Sequence, residues 1–155
     1  MDINMGLSKD QREAMAKAVG ALLADTYALY FKAHAYHWNV TGPRFHELHA
    51  MFEEQYQELW AATDDIAERI RALGLPAPIS YAEMTEQASV KADQAIPDAD
   101  TMLKNLIEGH EQAVRTARKA LKLADEHGDE ATADLVGPRV TAHEKFAWML
   151  RATAG

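Results

Sequence analysis

Four polar side chains in the middle of the sequence have the types and the spacing of metal ligands. They are His49, Glu53, Asp64 and Glu68, separated by four, eleven and four residues. Each interval is close to a whole number of turns at ~3.6 residues per turn, so a helix would align one imidazole and three carboxylates in a single stripe. Imidazole nitrogen and carboxylate oxygen together suit iron, and zinc or manganese also fit such a mixed set.

The length of this helix prevents the whole stripe from binding one metal ion within one chain. The eleven residues from Glu53 to Asp64 rise ~16 Å, whereas metal–ligand bonds are about 2 Å long. If the same helix of a second chain lies antiparallel across a two-fold axis, His49 and Glu53 of one chain face Asp64 and Glu68 of the other. The spacing therefore predicts two shared sites per dimer. A solvent-exposed charged face remains the alternative for a stripe of this kind.

His37 can supply a further nitrogen ligand. It precedes His49 by twelve residues, and a tight turn at 39–42 can bring both imidazoles to the same end of the stripe. Di-iron sites inside one four-helix bundle use Glu-x-x-His on two helices. None of the seven histidines has Glu three residues before it. The sequence therefore argues against a di-iron site within a single bundle.

The sequence pattern is helical over almost the whole chain, so helices must position these residues. Four long helices are predicted, from Ser8 to the 39–42 loop, from Pro43 to Gly74, from about Asp98 to His127, and from about Asp129 to Thr153. Ser8 and Gln11 form a capping box, and Pro138 either kinks the last helix or opens its main part. The connection from Leu75 to Pro97 includes a short helix over 81–88. This long crossover makes the second and third long helices parallel, which predicts an all-α, ferritin-like four-helix bundle in one domain, 1–155.

The histidines outside the stripe are expected to be structural. His34 precedes His37 by three residues and could approach the metal, but a hydrogen bond within the fold is the favoured role. His110 and His143 fall in the apolar registers of their helices, as core or interface residues do.

Composition narrows the class of function. The chain has 155 residues, no cysteine and a formal net charge of −8. The lack of cysteine excludes disulfides and thiolate metal sites, and the acidic balance argues against nucleic acid as the default partner. The N-terminal residues do not resemble a signal peptide, and the most apolar stretch, 19–31, is too short to span a bilayer. We therefore expect a cytoplasmic protein without a membrane partner.

Three segments together carry a resemblance to a known family. They are Ala-Tyr-His-Trp-Asn-Val-Thr-Gly-Pro-Arg-Phe at 35–45 with Leu48 and His49, Asp-Asp-Ile-Ala-Glu-Arg-Ile at 64–70, and His-Glu-Lys-Phe-Ala-Trp-Met-Leu-Arg at 143–151. Over nearly its whole length the chain resembles the Dps family, the mini-ferritins named as DNA-binding proteins from starved cells. The resemblance implies a hollow homo-dodecamer in the bacterial cytoplasm. It would oxidise Fe²⁺, with hydrogen peroxide as oxidant, and store Fe³⁺ mineral against oxidative stress.

The resemblance also implies roles for individual residues. The ligands of an inter-subunit ferroxidase site for two iron ions, which zinc can occupy instead, match His37, His49, Glu53, Asp64 and Glu68. Trp38 stands where the family has a tryptophan beside the site, either packed at the helix end or acting as an electron donor. Asp129 and Asp134 are expected at a three-fold pore that attracts cations. Glu54 is expected on the inner wall, where mineral nucleates.

Two other functions compete with iron oxidation. One is a nucleoid-associated protein that protects DNA by coating it, and the other is a protein that sequesters iron or zinc without turnover. DNA binding by the founding family member is ascribed to a lysine-rich N-terminal arm, whereas the first twelve residues here include only Lys9 and Arg12. Because an acidic shell repels phosphate, the sequence argues against DNA binding.

Overall fold

Five α-helices make up most of the protein in a computed structural model that describes residues 3–155. The helices are α1 (Lys9–Asn39), α2 (Phe45–Ala72), α3 (Tyr81–Gln87), α4 (Ala99–His127) and α5 (Glu130–Ala154). The described residues contain no strand, and the predicted all-α fold with a short helix in the crossover is confirmed. None of the helices in this range is long and apolar enough to cross a membrane.

Local sequence signals account for most of the helix ends. The predicted capping box is confirmed, because the Gln11 amide nitrogen donates to the Ser8 hydroxyl and the Ser8 amide nitrogen donates to the Gln11 side chain. Pro138 lies inside α5, which continues through it without a break. Of the two predicted possibilities, a helix start at this proline is wrong, because α5 begins at Glu130, and a kink at Pro138 remains a prediction.

The second helix is shorter at both ends than predicted. It begins at Phe45 rather than Pro43, because Gly42 adopts a φ of 107° and its carbonyl closes a turn with the Phe45 amide, at 3.0 Å. It ends at Ala72 rather than Gly74, since Gly74 has a φ of 90° that a helix does not accommodate. Both differences lie outside the stripe of candidate ligands.

Two arginines at opposite ends of α2 establish the direction of the helices. Arg44 donates to Asp100 at the start of α4 and to the Thr153 carbonyl at the end of α5, each at 2.8 Å. Arg69, near the end of α2, donates to Asp129 at the start of α5, at 2.8 Å. Therefore α2 runs parallel to α4 and antiparallel to α5. The predicted crossover topology is confirmed.

The crossover is attached to the bundle by a buried carboxylate. Asp25 of α1 is fully buried, and its Oδ1 accepts hydrogen bonds from the amide nitrogens of Ser89 (2.6 Å) and Val90 (3.0 Å). Its Oδ2 accepts from the hydroxyl of Thr116 on α4, at 2.6 Å. One side chain thus joins α1, α4 and the crossover, and its charge is compensated by three donors.

Candidate metal centre

Two imidazoles face each other where α1 ends and α2 begins. The rings of His37 and His49 stack with centroids 3.7 Å apart and an interplanar angle of 18°. Nδ1 of His37 lies 2.8 Å from the His49 carbonyl oxygen, and Nδ1 of His49 lies 2.8 Å from the His37 carbonyl oxygen. A carbonyl oxygen only accepts, so each Nδ1 carries a proton, and in the neutral imidazole each Nε2 therefore has the free lone pair. This is the tautomer in which histidine binds a metal through Nε2.

The carboxylates of the stripe follow the histidines along one uninterrupted helix. Glu53 is half-buried and accepts a hydrogen bond from the Gln57 side chain, at 3.1 Å. Asp64 and Glu68 are exposed on the same helix. Because α2 is continuous from Phe45 to Ala72, the rise of ~16 Å between Glu53 and Asp64 applies to the folded chain.

A single chain does not bring these ligands together. Within residues 3–155, no three His, Asp, Glu or Cys side chains converge as a group that could hold a metal ion. The His37 and His49 imidazoles thus form one half of the candidate site, and Asp64 and Glu68 form the other half at a distance. Completion of the site by a second chain remains a prediction.

His34 is held by aromatic neighbours behind the histidine pair. Its Nδ1 lies 3.2 Å from the Tyr30 hydroxyl, and its ring stacks on Tyr56 with centroids 3.9 Å apart. Desolvation, and secondarily the nearby His37, lowers the pKa of His34. The expected hydrogen-bonded role of His34 is confirmed. Tyr56 is not predicted from the sequence as a neighbour of the site, although it lies seven residues after His49 and therefore about two turns along the same helix.

Trp38 lies at the outer, exposed edge of the candidate site. Its indole lies 4.1 Å from the His34 ring, measured between centroids, and it is 58% exposed. A redox role of Trp38 would therefore act through its contact with the His34 ring. That role remains a prediction.

The two acids assigned to a pore have different environments. Asp129 is only 4% exposed, caps α5 by accepting from the Thr132 amide at 3.0 Å, and pairs with Arg69 at 2.8 Å. Burial by itself would raise the pKa of Asp129, but hydrogen bonds from Thr132 and Arg69 lower it overall. Asp134 is exposed, as is Glu54. The carboxylate of Asp129 is thus engaged within the chain, whereas that of Asp134 is exposed, and the pore role of both residues remains a prediction.

The centre of the bundle contains a buried polar network instead of a carboxylate site. His110 and His143 are fully buried, with their Nδ1 atoms 2.9 Å apart, and Nε2 of His110 lies 3.0 Å from Oε1 of Gln55. Desolvation, assisted by the charge of Arg139, lowers the pKa of His110 to about 3. The expectation of core histidines is confirmed. Sequence patterns could not have predicted the network, because its members come from three helices.

The sequence is similar to those of known ferritin-like proteins, in agreement with the helical arrangement described above. Residues 16–155 match the family described as Ferritin-like domain. A DNA protection during starvation protein of Brevibacillus brevis is 35% identical, and the alignment covers 91% of this chain and 95% of that protein. A low temperature-induced protein of Nostoc sp. is 40% identical, over 97% of this chain and 85% of its own length.

Solved structures with a similar fold agree with these sequence matches. The crystal structure of a Dps protein from Vibrio cholerae O1 superposes with a TM-score of 0.92 at 33% identity, covering 99% of this chain and 100% of that one. Its description calls it a member of a broad superfamily of ferritin-like diiron-carboxylate proteins. The parallel α2 and α4, the crossover helix and the long match in sequence all agree with this comparison. The chain therefore belongs to the ferritin-like proteins and, among them, to the Dps family.

Proposed function

We propose that this protein oxidises Fe²⁺ to Fe³⁺ at sites shared between two chains and stores the product inside a homo-oligomeric shell. The observation that carries the proposal is the reciprocal hydrogen bonding of His37 and His49, which engages Nδ1 of each ring and leaves Nε2 of each for a metal ion, in two rings whose centroids are 3.7 Å apart. A histidine pair of this kind is a ready half-site for a divalent cation. Asp64 and Glu68 of a second chain would complete it, with Glu53 beside the histidines.

The chemistry of the donor set favours iron as the substrate. Two imidazoles and three carboxylates form a mixed nitrogen and oxygen set, and several carboxylates offset the repulsion between two closely spaced cations. We propose hydrogen peroxide as the oxidant, because two Fe²⁺ ions together supply the two electrons that reduce it to water. The Fe³⁺ product would then pass to the interior, where Glu54 is our candidate for mineral nucleation.

The shared site is tested by mixing two inactive variants. One carries His37→Ala with His49→Ala, and the other carries Asp64→Ala with Glu68→Ala. Each alone should lose nearly all Fe²⁺ oxidation, because every site lacks two ligands. In a mixed dimer one site lacks all four groups and the other is whole. Random mixing at equal amounts makes about half the dimers mixed, so roughly a quarter of the wild-type rate should return.

The measurement is the initial rate of Fe²⁺ oxidation by stopped-flow absorbance after addition of peroxide. The variants are co-expressed with different tags, and only assemblies that carry both tags are assayed. Asp65→Ala serves as the matched control, since Asp65 is exposed and adjacent to Asp64 but lies off the stripe. Absence of recovery in verified mixed assemblies would refute the shared site. Rapid binding without oxidation in the wild type would instead support metal sequestration.

A further inference from the structure

The turn at 40–44 joins the helices that carry the two candidate histidines. It is closed by a short-range bond, in which the Phe45 amide nitrogen donates to the Gly42 carbonyl at 3.0 Å. This bond shapes the turn but does not attach it to the hairpin of α4 and α5. Among residues 40–44 as the structure describes them, Arg44 is the one that makes hydrogen bonds to α4 or α5.

Arg44 reaches both of these helices with one planar group. Its Nη1 donates to the Thr153 carbonyl near the end of α5, and its Nη2 donates to Asp100 in the first turn of α4, each at 2.8 Å. The guanidinium fork is rigid, so two bonds to different helices restrict the position of the backbone that carries it. The side chain of Asp100 is 89% exposed, so solvent screens its charge and the ion pair adds little to stability. The effect of this contact is therefore mainly on position.

Phe45 connects Arg44 to the histidine pair. It follows Arg44 directly as the first residue of α2, and its ring stacks on His49 with centroids 5.0 Å apart and an interplanar angle of 29°. His49 stacks in turn on His37, and the two reciprocal Nδ1 bonds of that pair are each 2.8 Å long. A hydrogen bond of this kind is lost at about 3.6 Å, so a displacement of the turn by roughly 1 Å is enough to break the pair.

We propose that Arg44 is a positioning residue for the candidate metal centre. By attaching the 40–44 turn to α4 and α5, it holds His37 and His49 in the arrangement that engages both Nδ1 atoms and leaves both Nε2 atoms for a metal ion. Without Arg44, the pair would have to be ordered when the metal binds, and this ordering would reduce the affinity. The inference rests on the proposed function of the site, and Arg44 is not itself one of the proposed ligands.

The test is titration of the assembled protein with Co²⁺, whose visible absorption reports binding by nitrogen and oxygen ligands. Arg44→Met keeps the aliphatic part of the side chain and removes every donor. It should raise the dissociation constant of Co²⁺ roughly three- to tenfold, as expected for the loss of one or two hydrogen bonds. Arg44→Lys keeps the charge but not the fork, and its dissociation constant should lie between those of Arg44→Met and the wild type.

The kinetics of Fe²⁺ oxidation distinguish positioning from a general effect on stability. In Arg44→Met the half-saturating concentration of Fe²⁺ should rise by the same factor, while the rate at saturating Fe²⁺ stays within about twofold of the wild type, because the bound ligands are unchanged. Adding Asp100→Ala to Arg44→Met should change nothing further, since its partner is already gone.

Arg118→Ala is the matched control. Arg118 makes a comparable ion pair between α4 and α5, with Glu144 at 2.7 Å, and lies about five turns from Asp100 along α4. Its replacement removes an exposed inter-helix contact of the same kind. It should leave both the Co²⁺ affinity and the dependence on Fe²⁺ unchanged, even if urea unfolding shifts slightly.

The wild type is measured in parallel, so that the two hypotheses fail separately. If it binds Co²⁺ and oxidises Fe²⁺ but Arg44→Met keeps the wild-type dissociation constant, the positioning role is wrong and the proposed function stands. If the wild type does neither, both are overturned. Should Arg44→Met fail to assemble, Asp100→Ala takes its place. That variant keeps the bond to Thr153 and should raise the dissociation constant about twofold, and an unchanged value would overturn the inference.

Discussion

At the scale of single residues, the reciprocal bonds between His37 and His49 determine what the candidate site can do. Each imidazole is fixed in rotamer and tautomer by the backbone carbonyl of the other residue. A metal ion at the proposed site would therefore meet two imidazoles that need no reorganisation, which would lower the entropic cost of binding. The turn at 40–44 matters because it brings together two histidines that are twelve residues apart.

Asp129 and Asp134 should respond differently to the same chemical change. Asp129→Asn should destabilise the fold by about 1–3 kcal/mol, because it weakens a buried ion pair with Arg69. Asp134→Asn should change stability by less than about 0.5 kcal/mol, as is usual for an exposed residue. It should slow iron uptake at low ionic strength, with an effect that shrinks as salt screens the charge. Urea unfolding and uptake kinetics measure the two effects, and unchanged uptake by Asp134→Asn would rule out its pore role.

The roles of such residues could be predicted from sequence only in part. The spacing of His49, Glu53, Asp64 and Glu68 indicated the stripe, because helical periodicity is local. The structural role of Asp129 had a local signal too, since it precedes Thr132 by three residues at a helix start. Its partner Arg69 is 60 residues away, and no sequence pattern links the two.

At the scale of elements, α4 and α5 are joined by the buried contact between His110 and His143. Both histidines are held neutral, because desolvation lowers the pKa of each well below its ordinary value near 6.5. In the unfolded chain both would bind protons as the pH falls below about 6.5. Protonation of His110 or His143 therefore favours states in which these two helices are separated.

Stability should decrease as the pH is lowered from 6.5 to 5, above the range in which carboxylates titrate. In this interval the unfolded state binds more protons than the folded state, so each buried histidine contributes a loss on the order of 1 kcal/mol per pH unit. Urea unfolding at a series of pH values measures the slope. Replacing His143 by Gln should reduce it, whereas His46→Gln should not, because His46 is exposed. An equal slope in all three proteins would contradict the assignment.

The helices themselves were predicted better than their ends. Caps such as Ser8, Asp98 and Gly128 lie next to the residues they satisfy, so short-range rules identify them. The second helix starts two residues later than predicted, because Pro43 suits the first turn of a helix but here belongs to the turn that Gly42 begins. Turn geometry of this kind depends on where the next helix packs.

At the scale of the whole molecule, net charge limits which partners the protein can bind. The net charge is −8 per chain, and only two basic residues occur among the first twelve. The relatives named for DNA protection share the fold, but the fold alone does not provide the basic surface that phosphate requires. The proposed shared metal site also belongs to this scale, since the length of α2 is the reason for inferring that a second chain completes it.

We expect no retardation of duplex DNA at about 150 mM salt with a chelator present, because acidic surfaces repel phosphate. A gel-shift assay across a range of salt concentrations tests this. Retardation that appears only after Mg²⁺ is added would indicate bridging by cations and agree with the expectation. A clear shift in the presence of chelator would show that this protein binds DNA directly and would favour the DNA-coating function.

The buried carboxylate of Asp25 has a consequence for how the two helical hairpins, α1–α2 and α4–α5, find their alignment. Its three donors come from the crossover and from Thr116 on the opposite hairpin, so only the native docking brings them all together. A hairpin displaced by one turn would leave a charged oxygen buried without donors, at a cost of several kcal/mol. Apolar packing alone tolerates such slippage more readily. Asp25 thus selects one alignment of the hairpins over neighbouring ones that would bury a similar apolar area.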